Sequence, residues 1–371
     1  MKTKPTYIHQ LRNWPHFQWD ADHISPLLAD LQQKRGYLLG RMQALGFPLQ
    51  EEATLKMITL DIVKSSEIEG EILDTDQVRS SIARRLGMDV AGLIPADRHV
   101  DDVVEMMLDA TSRFTAPLSD ERLFGWQASF FPTGRSGLVK IVTGAWRDNS
   151  PADPMQVVSG MMGREKVHFQ APDSSLLPDE MAAFLKWFND SVDLDPLLKA
   201  AIAHLWFVTI HPFDDGNGRI ARAITDMQLA RADGTARRFY SMSAQIRKER
   251  NRYYDILENT QKGNLDITVW LDWFISCLQR AINASQDELA LIMQKAGFWQ
   301  KYAMVQFNDR QILMLNKILD GYAGFITSSN WAKLTGTSSD TAIRDINDLV
   351  QKGILQKGPA GGRSTRYSFL V

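Results

Sequence analysis

Apolar residues recur at three- and four-residue steps along most of the chain, and few stretches alternate with period two, so the pattern predicts a mainly α protein. Helices are expected over about 24–45 and about 52–65, the second with Leu55, Ile58 and Ile62 on one face. Asp195-Pro196 is a helix start, a capping carboxylate followed by proline at the first helical position. Leu197, Ala201, Leu205 and Val208 then mark a buried stripe, and His211-Pro212 stops it. Segments 251–261 and 268–282 also read as helices. Two extended apolar segments, MQVV at 155–158 and KVHFQAP at 166–172, have Gly160 and Gly163 between them and read as a β-hairpin. Beyond Phe307, helical patterns at 311–319, 328–334 and 338–352 precede two short strands around a Gly/Pro turn, the order of a winged helix-turn-helix.

Length changes this picture by dividing it: 371 residues exceed one typical domain and suggest two or three. Hydrophobic residues at 44% and charged residues at 23% suit packed cores. A net charge of -2 gives no overall field that would draw nucleic acid or an anionic membrane. Cys277 is the single cysteine, which excludes an internal disulfide. No run approaches the ~18 apolar residues of a membrane helix, and the first residues lack an apolar signal region; the expectation is a cytoplasmic protein without a membrane partner.

The densest chemistry lies in HPFDDGNGRIAR, 211–222. Gly216-Asn217-Gly218 is a turn of little bulk followed by a helix expected to begin near Arg219. Such a turn aims consecutive backbone N–H groups at one spot, and the helix N-terminus adds its positive end. Arg219 and Arg222, three apart, share a helical face, and two guanidinium groups beside an anion cradle suit a polyphosphate. Asp215 stands where it would hold Mg²⁺ against those phosphates. His211, as neutral imidazole, would take a proton from an attacking hydroxyl.

Eight positions of the pattern H-x-F-x-[D/E]-G-N-G-R-x-x-R are filled in order. The segment resembles the signature of Fic-domain adenylyltransferases. The resemblance implies a helical core in which His211 deprotonates a Tyr, Thr or Ser hydroxyl of a target protein, possible self-modification included, and AMP moves from ATP to that oxygen. It implies Mg²⁺ on Asp215, the α- and β-phosphates on Gly216, Asn217 and Gly218, Arg219 and Arg222 at the β- and γ-phosphates, and Asp214 and Asp215 among the cofactor-binding residues, with Phe213 as a buried anchor. The motif lacks the lysine of related kinase-type toxins, which favours AMP transfer over phosphorylation. The hairpin resembles the family's flap, about 155–170, with Lys166, Val167, His168 and Phe169 aligning the target. Tyr253, Tyr254 and Gln261 fall where the family forms its adenosine pocket.

Upstream, Ser65, Glu69 and Gly70 in SSEIEG fit the pattern [S/T]-x-x-x-E-[G/N]. Ser65 and Glu69 share a helix face, and an arginine meant for a phosphate can grip that carboxylate bidentately instead. The segment resembles the inhibitory helix, about 52–70, of the class in which the brake precedes the catalytic motif, with Glu69 opposing Arg222 and Glu67 pointing away. The stretch with Trp14, Phe17 and Trp19 resembles a small domain of unknown function that often precedes Fic domains. The expected division is 1–50, 51–300 for the Fic domain, and 301–371 for the winged helix. From Ala303 onward eight Lys/Arg stand against five Asp/Glu, and Asp340, Asp345 and Asp348 lie on the expected recognition helix. Even with Arg363 and Arg366 on the wing, this is thin for DNA binding and favours a protein dock or homodimer contact. Removal of AMP from a modified protein would use the same residues, with Glu69 positioning the attacking water; the other alternative, a DNA-binding regulator that only senses ATP, would not need His211 as a base.

Overall fold

In the computed structural model, residues 6–89, 92–160, 166–190, 193–322, 324–358 and 365–370 are described. α1 (Ala21–Gln43) is capped by Asp20, whose carboxylate accepts from the His23 amide. α2 (Phe47–Ile68) starts before residue 52 and runs past Ser65. Gly70, at φ 85, closes it: its amide bonds Glu67 O, and the Glu71 amide bonds Ser66 O. This paired closure satisfies the last carbonyls and puts Glu69 at the C-cap. α3 (Thr75–Arg85), α4 (Arg98–Ser112) and α5 (Asp120–Phe130) follow. Two short antiparallel pairs come next, β1 (Arg135–Ser136) with β2 (Val139–Lys140), and β3 (Gln156–Ser159) with β4 (Lys166–Gln170). The second pair is irregular between Val157 and Val158. Gly160 has φ 110, and Gly163 lies outside the described residues.

α6 (Leu177–Asn189) leads to α7 (Pro196–Ile210), where Asp195 accepts from the amides of Leu197 and Leu198 as the sequence requires. The single stripe expected on α7 is an underestimate, because every residue from Leu197 to Ile210 is buried. A helix apolar on all sides is a central one. α8 (Asn217–Asp233) packs against it and begins two residues before Arg219, at Asn217. α9 (Met242–Lys248), α10 (Arg250–Gln261) and α11 (Thr268–Glu288) complete this part of the chain. Trp14 and Phe17 meet Trp206 of α7 edge-on, and Trp14 Nε1 donates to Glu180.

The chain divides into two compact units, Met1–Ala44 with Gln50–Ser285, and Leu45–Leu49 with Gln286–Val371. Of the stretch expected as a separate N-terminal domain, 1–50, residues up to Ala44 are grouped with α7 and α8, and Leu45–Leu49 with the second unit. In the second unit, α12 (Ala290–Lys301), α13 (Asp309–Leu319), α14 (Ser328–Thr335) and α15 (Ser339–Gln351) precede β5 (Leu355–Lys357), which pairs antiparallel with β6 (Tyr367–Phe369). Trp331, Met314, Leu315, Ile346 and Leu349 form its core. Asp345 is turned inward to Arg310 and Asn308, and Asp348 bonds Gln311 and Lys352. Two of the three acids on α15 thus have intramolecular partners, which sequence position alone does not reveal. Arg366 lies over the Phe325 ring, and Arg363 is outside the described residues. Among the described residues, no helix is long and apolar enough to cross a membrane.

Candidate functional site

His211 is the C-cap of α7 and takes left-handed backbone angles, φ 52 and ψ 57. It is the one non-glycine residue with positive φ among those described. Its amide still bonds Phe207 O at 3.0 Å, and Nδ1 lies 3.3 Å from Val208 O. A carbonyl can only accept, so Nδ1 carries the proton and Nε2 keeps its lone pair. Burial pushes the imidazole down to about 4; Arg147 acts in the same direction, against the Val208 carbonyl, Asp215 and Glu69. The ring is therefore neutral near pH 7.

Phe213, fully buried, packs against Trp146 and Phe207 and anchors the following loop. The Asn217 side chain clasps that loop, accepting from Phe213 N at 3.0 Å and donating to Phe213 O at 2.7 Å. Gly216 holds φ 90, a conformation glycine adopts without strain. The first intrahelical bond of α8 runs from Ile220 N to Gly216 O, so the amides of Asn217, Gly218 and Arg219 have no acceptor inside the helix. The open amides therefore lie one residue later than expected, at 217–219 rather than 216–218, because the Gly216 amide is taken by Asp215. Asp214 accepts from Val142 N at 2.8 Å. Asp215 accepts from Gly216 N and from the Ser136 hydroxyl.

Arg222 is 2% exposed. Its Nε donates to Ser65 Oγ at 2.8 Å, and Nη2 donates to Ser65 O at 3.0 Å and pairs with Glu69 Oε1 at 2.8 Å. The grip on Glu69 is one-armed where a bidentate one was expected, because Ser65 takes the Nε edge and shares Nη2; Nη1 is buried without a partner. A Cβ built on Gly218 would overlap Glu69 Oε1, so the carboxylate rests against the first turn of α8. Arg219 stacks over Phe130 at 4.1 Å and pairs through Nη1 with Glu71 Oε2 at 2.9 Å. Glu71 also bonds His99. The two arginines expected to share one ligand are thus each held by a carboxylate from the end of α2. Glu67 pairs instead with Lys64 at 2.5 Å and Arg247 at 3.5 Å.

On β4, Lys166 and Val167 are exposed, whereas Phe169 is buried against Tyr7 and His9. His168 bridges Glu258 at 2.5 Å and Ser159 at 2.6 Å. Tyr253 is turned into the core with its hydroxyl 2.9 Å from His204 Nε2, and Gln261 is buried on Thr209. Tyr254, its ring 5.0 Å from that of Tyr253, is only half-buried. Of the three residues expected around an adenosine, Tyr254 therefore offers the accessible face.

Among the described residues, no group of three or more His, Cys, Asp and Glu could hold a metal ion. Mg²⁺ carried on a polyphosphate needs only one or two carboxylates, and Asp215 beside the open amides meets that requirement. Three residues at this site escaped sequence reasoning. Glu71 sits two residues beyond Glu69 and was legible as a second acid in the same string; Ser136 and Arg147 carry no local signal.

Residues 117–229 match the Fic/DOC family. That span holds β1 to β4, α7 and the whole 211–222 motif, while residues 7–88, with Ser65 and Glu69, match a domain of unknown function (DUF4172). A protein named protein adenylyltransferase Fic from Culex quinquefasciatus is 24% identical over 290 residues, 76% of this chain and 52% of that protein. One of the same name from Nematostella vectensis is 34% identical over 110 residues, 29% of this chain and 24% of that protein. The chain thus spans about half the length of the first relative and less of the second. The crystal structure of a Fic family protein from Desulfovibrio desulfuricans G20 aligns with a TM-score of 0.57 at 22% identity, covering 93% of this chain and 96% of that one. This likeness gives the two chains a common Fic fold.

Proposed function

We propose that the chain transfers AMP from Mg·ATP to a Tyr, Thr or Ser hydroxyl of a protein, itself included, and that Glu69 restrains the reaction. The observation that carries this reading is the closure of Arg222 on Glu69 against the open first turn of α8: an internal anion lies on an anion cradle beside a neutral histidine. In the reaction, His211 Nε2 takes the proton of the incoming hydroxyl, and that oxygen bonds the α-phosphorus. The bond from the α-phosphorus to the bridging oxygen breaks, and pyrophosphate leaves. The amides of Asn217, Gly218 and Arg219 receive phosphate charge, while Arg219 and Arg222 meet the β- and γ-phosphates. Mg²⁺, held by Asp215 when bound, neutralises phosphate charge. The ring of Tyr254 flanks the adenine, with Tyr253 behind it.

The target is aligned by backbone pairing along β4, whose sheet has only two strands among the described residues and so keeps an open edge. With Arg222 on Glu69, the γ-phosphate lacks its partner and the nucleotide binds out of line. The C-terminal unit is read as a winged helix that docks protein. The test is incubation of wild type, Glu69→Gly and Glu69→Gly/His211→Ala with labelled ATP and Mg²⁺, followed by mass spectrometry. AMP adducts on Glu69→Gly, absent from the double variant, support the reading; no adduct on any of the three rejects it.

A further inference from the structure

Arg147 is 2% exposed and lies in a loop far in sequence from the motif it touches. Its Nε donates to His211 O at 2.7 Å, and Nη2 donates to Pro172 O at 2.6 Å and to Ile210 O at 3.4 Å. Its Nη1 donates to Asn149 Oδ1 at 2.6 Å, and its own amide bonds Pro212 O at 3.0 Å. One residue therefore binds the carbonyls of three consecutive residues, 210, 211 and 212, and the exit of β4. The middle residue of the three is the one with left-handed backbone angles. Such a conformation in a residue other than glycine costs on the order of 1–3 kcal/mol and persists only where its surroundings over-determine it.

We propose that Arg147 is a positioning residue for His211: it clamps the peptide groups on both sides of the left-handed turn, aims the imidazole, and joins it to the base of the strand that would present the target. This rests on the reading of His211 as the base. Two physical points support it. Ile210 O is among the last, unpaired carbonyls of α7, where a cation also meets the negative end of the helix dipole. The same positive charge opposes protonation of His211. Burial is the larger cause, and the Val208 carbonyl, Asp215 and Glu69 act the other way.

The test compares Arg147→Gln and Arg147→Lys in the full chain, each also carrying Glu69→Gly so that the brake does not mask turnover. The first readout is the NMR titration of the His211 imidazole, assigned by its loss in His211→Ala, which needs no catalysis. The second is single-turnover self-modification against ATP concentration. Arg147→Gln should shift the His211 titration upward and lower the maximal rate at least about tenfold, while half-saturation by ATP moves less than about twofold. Arg147→Lys restores charge but not the planar fork, so the titration should return towards wild type while turnover stays low. If Arg147→Gln does not fold, judged by its melting curve, Arg147→Lys alone carries the test through its low turnover. Unchanged titration and turnover in the folded variants would overturn the proposal. If Glu69→Gly itself transfers no AMP, the adenylyl-transfer reading fails, and the titration still decides whether Arg147 governs His211.

Discussion

On the proposed reading, removing the Glu69 carboxylate should raise AMP transfer. In Glu69→Gly, Arg222 loses its ion pair of 2.8 Å through Nη2 but keeps both bonds to Ser65, so only one interaction is removed. A hydrogen bond to a charged group contributes about 1.5–3 kcal/mol. The Glu69 side chain is 32% exposed, and solvent screening takes the value towards the lower end. At about 1.4 kcal/mol per tenfold, self-modification should rise by about tenfold or more. The assay is initial-rate incorporation of labelled AMP at saturating Mg·ATP, with mass spectrometry of the product. The gain should vanish in Glu69→Gly/His211→Ala, because on the proposed reading transfer needs His211 as the base. Glu67→Gly is the control: Glu67 faces Lys64 and Arg247, so its removal should change the rate little. Equal rates for wild type and Glu69→Gly would refute the reasoning and leave SSEIEG as a helix end.

His211→Ala should lower AMP transfer about 10²–10⁴-fold while its melting temperature stays near wild type, measured in single turnover and by calorimetry. Burial holds the His204 imidazole down to about 3, below the ordinary 6.5, so the folded chain resists a proton that the unfolded chain accepts. That stability is complete above about pH 6.5 and is lost as pH falls towards 3, at up to ~1.4 kcal/mol per pH unit. Denaturant melts from pH 7.5 to 5 should therefore show a flatter acid limb for His204→Gln, and parallel curves would contradict this. In the second unit, Trp331→Ala removes a fully buried side chain and should cost about 3–5 kcal/mol, read from the same melts.

Features written in neighbouring residues were the legible ones. Asp195-Pro196 starts α7 where cap chemistry demands, and the glycines of 211–222 mark the turn into α8 by their spacing alone. Gly70 was legible as part of a pattern, but its physical task, closing α2 so that Glu69 stands at the cap, needed the hydrogen bonds themselves. Arg147 was illegible for a simple reason. Its partners are backbone carbonyls 25 and 64 residues away, and carbonyls leave no trace in residue identity. Tyr253 and Gln261 were read as pocket residues only because the family resemblance places an adenosine there; their burial against His204 and Thr209 depends on how α7 and α10 meet.

The closure of α2 at Gly70 makes Glu69 a tethered ligand. Its carboxylate has no concentration in the ordinary sense, only an effective one set by how narrowly the last turn of α2 confines it. On the proposed reading, a weak group held this way competes with the γ-phosphate for Arg222 even when the nucleotide is bound, and the rigidity of one helix end, as much as the strength of one ion pair, sets how well it does so. On that reading, whatever loosens residues 66–71 dilutes the competitor without touching residues 211–222, so the strength of the brake would be written in the order of that single turn.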